Sequence, residues 1–209
     1  MAGWESIGTV LGEDGRKRCG WCTSAADYVA YHDDEWGRPV ADDRLLYEKI
    51  CLEGFQSGLS WLTILRKREN FRRAFAGFDP RAVAGFGAEE VERLMADAGI
   101  VRHRGKIQAT IANARATLLA QERHGSLAAV VWAFEPPRDG RRVPERLGDL
   151  PATTDESRAL SKALARLGFR FVGPTTAYAA MQSLGLVNDH LDGCHVREAC
   201  EQDRRTMGR

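Results

Sequence analysis

Apolar residues recur along this chain at intervals of three and four far more often than in alternation. From Asp42 to Ser57, Leu45, Leu46, Ile50 and Leu52 keep that spacing behind an aspartate able to cap the first turn. Ser60 opens a second predicted helix carrying Trp61, Leu62, Ile64, Leu65 and Phe71. Asp79-Pro80 reads as a cap followed by proline at the first helical position, and a helix over Glu89 to Ala98 is stopped by Gly99. Ile107, Ile111, Ala114 and Leu118 form one stripe of a helix that starts at Gly105 and ends before Gly125. Thr153-x-x-Glu156 is a capping box for Asp155 to Leu167, and Gly173-Pro174 opens a further helix closed by Gly185. No segment alternates between hairpin turns, so the predicted fold class is all-α.

Composition narrows the function classes. A chain of 209 residues with 44% apolar content suits one domain or two intimate halves. Thirty basic residues face 29 acidic ones, a net charge of +1, so any surface for nucleic acid must be local rather than global. The longest apolar run, Leu127 to Phe134, is far short of the roughly 20 residues that span a bilayer, and no signal-like segment opens the chain. The expectation is a soluble, cytoplasmic monomer without membrane contact. Five cysteines, an odd number, do not make a disulfide scaffold and point to metal ligation or burial. Between Glu135 and Thr153, Pro136-Pro137, Asp139-Gly140, Pro144 and Pro151 break regular structure; this stretch either separates two lobes or forms a long loop on one.

Three constellations carry candidate chemistry. The first is a metal site assembled from both ends of the chain: Cys19, Cys22 and His32 near the start, His190, Cys194, His195 and Cys200 near the finish. Thiolate and imidazole in a tetrahedral array suit Zn²⁺, and four protein ligands leave no open position, which makes such an ion structural. Spacing alone fits Cys19/Cys22/His190/Cys194 as well as Cys19/His32/His190/Cys194; simple burial of the cysteines is the plainer alternative. The second is Glu53. With Leu45 at zero and about 100° per residue, Leu46 falls at about 100°, Ile50 at about 140° and Glu53 at about 80°, inside the apolar stripe. A carboxylate there needs a core partner or a ligand to receive it, and Trp21, Tyr28, Tyr31, Trp36 and Trp61 cluster nearby in sequence at positions that read as loop. The third is the turn from Gly99 to Gly105, where Arg102, Arg104, Lys106 and Arg115 meet no acid between Asp97 and Glu122. A glycine-bounded turn opening a helix is an anion site, and Arg66-Lys67-Arg68 with Arg72-Arg73 extend the basic character. A solvated helix face is the bland reading of each run.

At these residues the sequence resembles the 3-methyladenine DNA glycosylase I family of the helix-hairpin-helix glycosylases. The resemblance is carried by Arg18-Cys19-Gly20-Trp21, Tyr28-x-x-Tyr31-His32-Asp33-x-Glu35-Trp36-Gly37, Leu52-Glu53-Gly54, Gly58-Leu59-Ser60-Trp61, Asp97-Ala98-Gly99-Ile100, Arg102-His103-Arg104-Gly105-Lys106-Ile107, Gly168-Phe169-x-Phe171-Val172-Gly173 and Gly185-Leu186-Val187-Asn188-Asp189-His190. It spans about residues 18–194, with a flexible N-terminal extension expected over 1–17 and a tail over 195–209. It implies a helix-hairpin-helix over about 94–116, a loop over 135–153, and one structural Zn²⁺ held by Cys19, His32, His190 and Cys194, joining the two ends. It also implies that Glu53 accepts hydrogen bonds from the lesion, with Tyr28, Tyr31, Trp61, Trp36 and Trp21 lining the base site. Leu59, Arg102, Arg104, Gly105 and Lys106 are the expected DNA contacts. The activity so implied is excision of 3-methyladenine from alkylated duplex DNA without lyase cleavage, releasing the free base; the alternative is a non-catalytic zinc-clipped module that binds nucleic acid or protein. In the wider superfamily an aspartate follows the hairpin by about one helix; here none occurs between Asp97 and Asp139.

Overall fold

The computed structural model describes residues 3–138 and 140–207. In chain order it contains strands β1 (Thr9–Leu11) and β2 (Lys17–Cys19), then helices α1 (Ala26–Asp34), α2 (Asp43–Gln56), α3 (Trp61–Ala74), α4 (Pro80–Ala84), α5 (Ala88–Ala96), α6 (Arg104–His124), α7 (Leu127–Trp132), α8 (Asp155–Leu167), α9 (Pro174–Ser183) and α10 (Arg197–Thr206). The fold is mostly helical rather than purely so. β1 and β2 pair antiparallel with Thr9 opposite Cys19, and strands of three residues are too short to announce themselves by alternation. No helix among the described residues is long and apolar enough to cross a membrane.

Two compact units divide the chain: the first takes residues 1–40, 135–154 and 181–209, the second 41–134 and 155–180. The second unit is built on α2, whose residues from Leu46 through Phe55 are all buried. Asp42 caps it, its carboxylate accepting from Leu45 N at 2.9 Å, and Asp43 receives Gln121 Nε2 and the backbone N–H of Ala128, which ties α2 to the start of α7. Phe55, Phe71, Phe75 and Phe78 stack into one fully buried column, and the Tyr47 hydroxyl donates to Thr110 O on α6 at 2.9 Å. Because α2 is buried on nearly every side, the stripe drawn from Leu45 was off centre: Leu45 itself is 43% exposed.

The first unit draws its strands and helices from both ends of the chain, with a small core of Cys19, Leu191, Cys194 and Val196. Gly185 lies at φ +78°, and a Cβ there would meet the backbone of Arg38 and Pro39 at under 3 Å, so only glycine permits this crossing. The 135–153 segment is loop apart from a short 3-10 turn over Leu147–Asp149; Asp139 lies outside the described residues. Helices α1, α7 and α10 were not expected. In α1 only Tyr31 and His32 are buried, and in α10 only Cys200 and Arg204, so neither has an apolar stripe to read.

Candidate functional site

In the first unit Cys19, His32, His190 and Cys194 converge, all four buried, with their ligand atoms within 4.8 Å of one another. His32 Nε2 lies 3.2 Å from His190 Nδ1 and 3.4 Å from Cys194 Sγ, and Cys19 Sγ is 3.8 Å from His190 Nδ1. β2 delivers Cys19, the last turn of α1 delivers His32, and a loop after α9 delivers the other two. The outer nitrogens fix the tautomers. His32 Nδ1 faces Asp33 Oδ1 at 2.8 Å, and His190 Nε2 faces Trp36 O at 3.0 Å; a carboxylate and a carbonyl only accept, so both outer nitrogens carry the proton. In the neutral rings the inner nitrogens turn lone pairs toward each other and toward two sulfurs. Such a set of donors could hold a metal ion.

The surroundings agree in sign. Burial pulls His32 down, yet Cys194, Cys22 and Asp33 together raise it to about 10, so the cluster draws positive charge. Burial pushes Asp33 up, but Arg18, His32 and His195 bring it down to about 2. Cys22 donates from Sγ to Cys19 O at 3.1 Å and is not among the four residues that converge. His195 also stands outside the cluster and meets Asp33 Oδ1 at 3.1 Å. Gly37, at φ +82°, passes so close to the His190 ring that a Cβ would lie 2.9 Å from Nε2. Asp33 and His195 went unremarked as supports; the acid directly following His32 was the available signal.

Aromatic rings wrap this cluster. Trp21 meets Tyr28, His32 and Trp36 edge-on at 4.9, 5.3 and 5.1 Å, and Trp36 meets His190 edge-on at 4.7 Å. Trp21 and Trp36 therefore back the Cys/His cluster. Tyr28 and Tyr31 lie on α1, stacked at 6.5 Å, not on loop as their spacing suggested.

In the second unit Glu53 is 6% exposed on α2, as are Glu48 and Lys49. Glu48 accepts from Arg72 at 2.8 Å, and Lys49 Nζ sits 4.3 Å over the ring of Trp61, the first residue of α3. The segment expected to be the helix-hairpin-helix falls on the end of α5, the turn and α6, with His103 capping α6 by accepting from Lys106 N. Much of its expected countercharge is committed inside the protein. Lys106 is buried, and its Nζ donates to Phe55 O and Ser57 O at 2.9 and 2.6 Å, so its ammonium is engaged inside the protein by carbonyls that replace its water. Arg104 pairs with Glu92 through both nitrogens, and Arg115 donates to Ala84 O. Arg102 stays exposed. The second basic run is likewise engaged: Lys67 donates to Ala98 O and Gly99 O in the hairpin turn, and Arg72 also pairs with Glu69. Leu59 is 43% exposed after Gly58 at φ +83°.

The model of the methyladenine glycosylase family matches residues 21–198. The chain belongs to that family. Among similar proteins, "DNA-3-methyladenine glycosylase 1" of Escherichia coli (strain K12) is 52% identical over 178 residues, covering 85% of this chain and 95% of the relative. "DNA-3-methyladenine glycosylase" of Haemophilus influenzae is 45% identical, covering 85% and 96%. A solved structure on 3-methyladenine recognition by 3-methyladenine DNA glycosylase I from Staphylococcus aureus aligns with a TM-score of 0.81 at 34% identity, covering 86% of this chain and 96% of that one. For the methyladenine glycosylase family, then, this chain spans nearly the full length of its relatives.

Proposed function

We propose that this protein excises 3-methyladenine from alkylated duplex DNA by hydrolysing its N-glycosidic bond. Near-full-length similarity to named 3-methyladenine glycosylases is the observation that carries the reading. Methylation at N3 makes the adenine of the nucleotide cationic and a good leaving group, so little acid catalysis is needed. The nucleotide leaves the stack at a cost of a few kcal/mol, less for a damaged base. Glu53 is assigned to the polar edge and charge of the base, and Trp61, Tyr28 and Tyr31 are assigned to its ring. A cation over an aromatic face gains ~0.5–2 kcal/mol, which neutral adenine lacks. The bond from C1′ to the base nitrogen breaks with its electrons going to the base, and a water oxygen bonds to C1′ as its proton passes to solvent. The two carbonyls on Lys106 Nζ support hydrolysis without a lyase step, since that amine is occupied.

Cys19, His32, His190 and Cys194 would hold one structural Zn²⁺, which closes the chain's two ends together and takes no part in the reaction. Arg102, the backbone at Gly105 and, in part, Arg104 are assigned to DNA phosphates, and Leu59 to the gap left by the extruded nucleotide. The test is chromatography of bases released from methylated duplex DNA. Free 3-methyladenine with intact strands is expected; no released base, or strand cleavage at the site, would overturn the reading.

A further inference from the structure

The segment Gly168-Phe169-Arg170-Phe171-Val172-Gly173 has no part in the scheme above. Phe171 sits in the left-handed backbone region at φ 56°, and 42% of its surface is exposed. Ala76 and Phe78, the other non-glycine residues with positive φ among the described residues, flank Gly77 in one tight turn, where Phe78 is fully buried and packing holds the strain. Burial does not explain Phe171. What holds it is a two-point clamp on the preceding residue: Arg170 N donates to Asn113 Oδ1 at 2.7 Å, and Asn113 Nδ2 donates to Arg170 O at 3.2 Å, with Asn113 buried on α6. The ring lies edge-on to His103 in the hairpin at 6.2 Å. Its Cβ lies against Gly54, the residue after Glu53, so closely that a methyl there would come within 3.3 Å.

The loop bearing Leu59 is moored in the same way and by the same helix. Lys106 Nζ holds Phe55 O and Ser57 O, and Leu59 N closes the turn onto Gln56 O. Lys106 and Asn113, two turns apart on α6, therefore each fix a loop that ends in an exposed large apolar side chain. A half-exposed aromatic held at a backbone conformation that glycine adopts without strain calls for a reason beyond packing. A rigid ring beside a hairpin and a buried acid does suit the π-face of a nucleobase.

We propose that Phe171 is a second stack-contacting side chain: with Leu59 in the vacated gap, the Phe171 ring packs on a neighbouring base and holds the duplex open, and Asn113 is its positioning residue. This rests on the reading of the protein as a glycosylase of duplex DNA. The test compares wild type with Phe171→Gly and Phe171→Tyr by single-turnover excision from duplex DNA, by thermal melting, and by fluorescence of 2-aminopurine placed beside an abasic-site analogue. Phe171→Gly is expected to melt no lower than wild type, because glycine relaxes the backbone, yet to excise at least tenfold more slowly and to lose the fluorescence rise on binding. Phe171→Tyr, which keeps the ring, should stay within about threefold of wild type. A Phe171→Gly protein with wild-type excision and fluorescence, or one whose slower excision tracks a lowered melting temperature, overturns the inference. Wild-type protein that releases no base would instead sink the functional reading itself.

Discussion

Glu48, Lys49 and Glu53 are equally buried on one helix. Glu48 answers to Arg72 on α3 and Lys49 lies over Trp61, arrangements no periodicity reveals because the partner comes from another helix. Glu53 was legible because a 3.6-residue period places it among leucines, even though the chosen reference, Leu45, faces outward. The same helix carries Cys51, whose thiol burial pushes from its ordinary 9.0 to about 12. A thiol raised on folding stays protonated in the native protein when the unfolded chain has ionised, so stability falls as pH climbs from about 9 toward 12. Cys51 should therefore resist a thiol reagent at pH 8 until denaturant unfolds the protein; labelling at the rate of an exposed cysteine in the native state would contradict its burial.

At the scale of elements, helices with a clear stripe or cap were readable, as the Asp42 and Asp79 caps of α2 and α4 demonstrate. Polar α1 and α10 and the three-residue strands were not, because tertiary contacts rather than pattern sustain them. The hairpin is the instructive case. Its run of positive charge looked like a phosphate site, but Glu92 on the preceding helix, two carbonyls at the end of α2 and Ala84 O engage three of the four cations. Arg102→Ala should lower the slope of log affinity for duplex DNA against log salt by about one, whereas Lys106→Met should leave that slope unchanged and cost about 1–3 kcal/mol of stability by orphaning two carbonyls. Salt titration and denaturant melts read both. A slope that falls for Lys106→Met would place its ammonium on a phosphate.

For the whole molecule, the first unit is stitched from segments at the two ends of the chain, and His32 and His190 are 158 positions apart. Closing so long a loop removes disorder from the unfolded state worth about 5 kcal/mol on a chain-entropy estimate. Purified protein should carry one zinc per chain, and Cys194→Ser should lose it and melt on the order of 10 °C lower; metal-free protein with an unchanged melting temperature would refute the structural ion. The cysteines and histidines were legible as a possible cluster, but which four converge was decided by how β2, α1 and the loop after α9 meet. The central claim is that an ionised Glu53 grips a positively charged base. Its most direct measurement is the single-turnover rate of 3-methyladenine release by Glu53→Gln, which keeps shape and loses charge. A charge-assisted hydrogen bond of about 1.5–3 kcal/mol predicts a rate about 10- to 100-fold below wild type; equal rates for the two proteins would contradict the account.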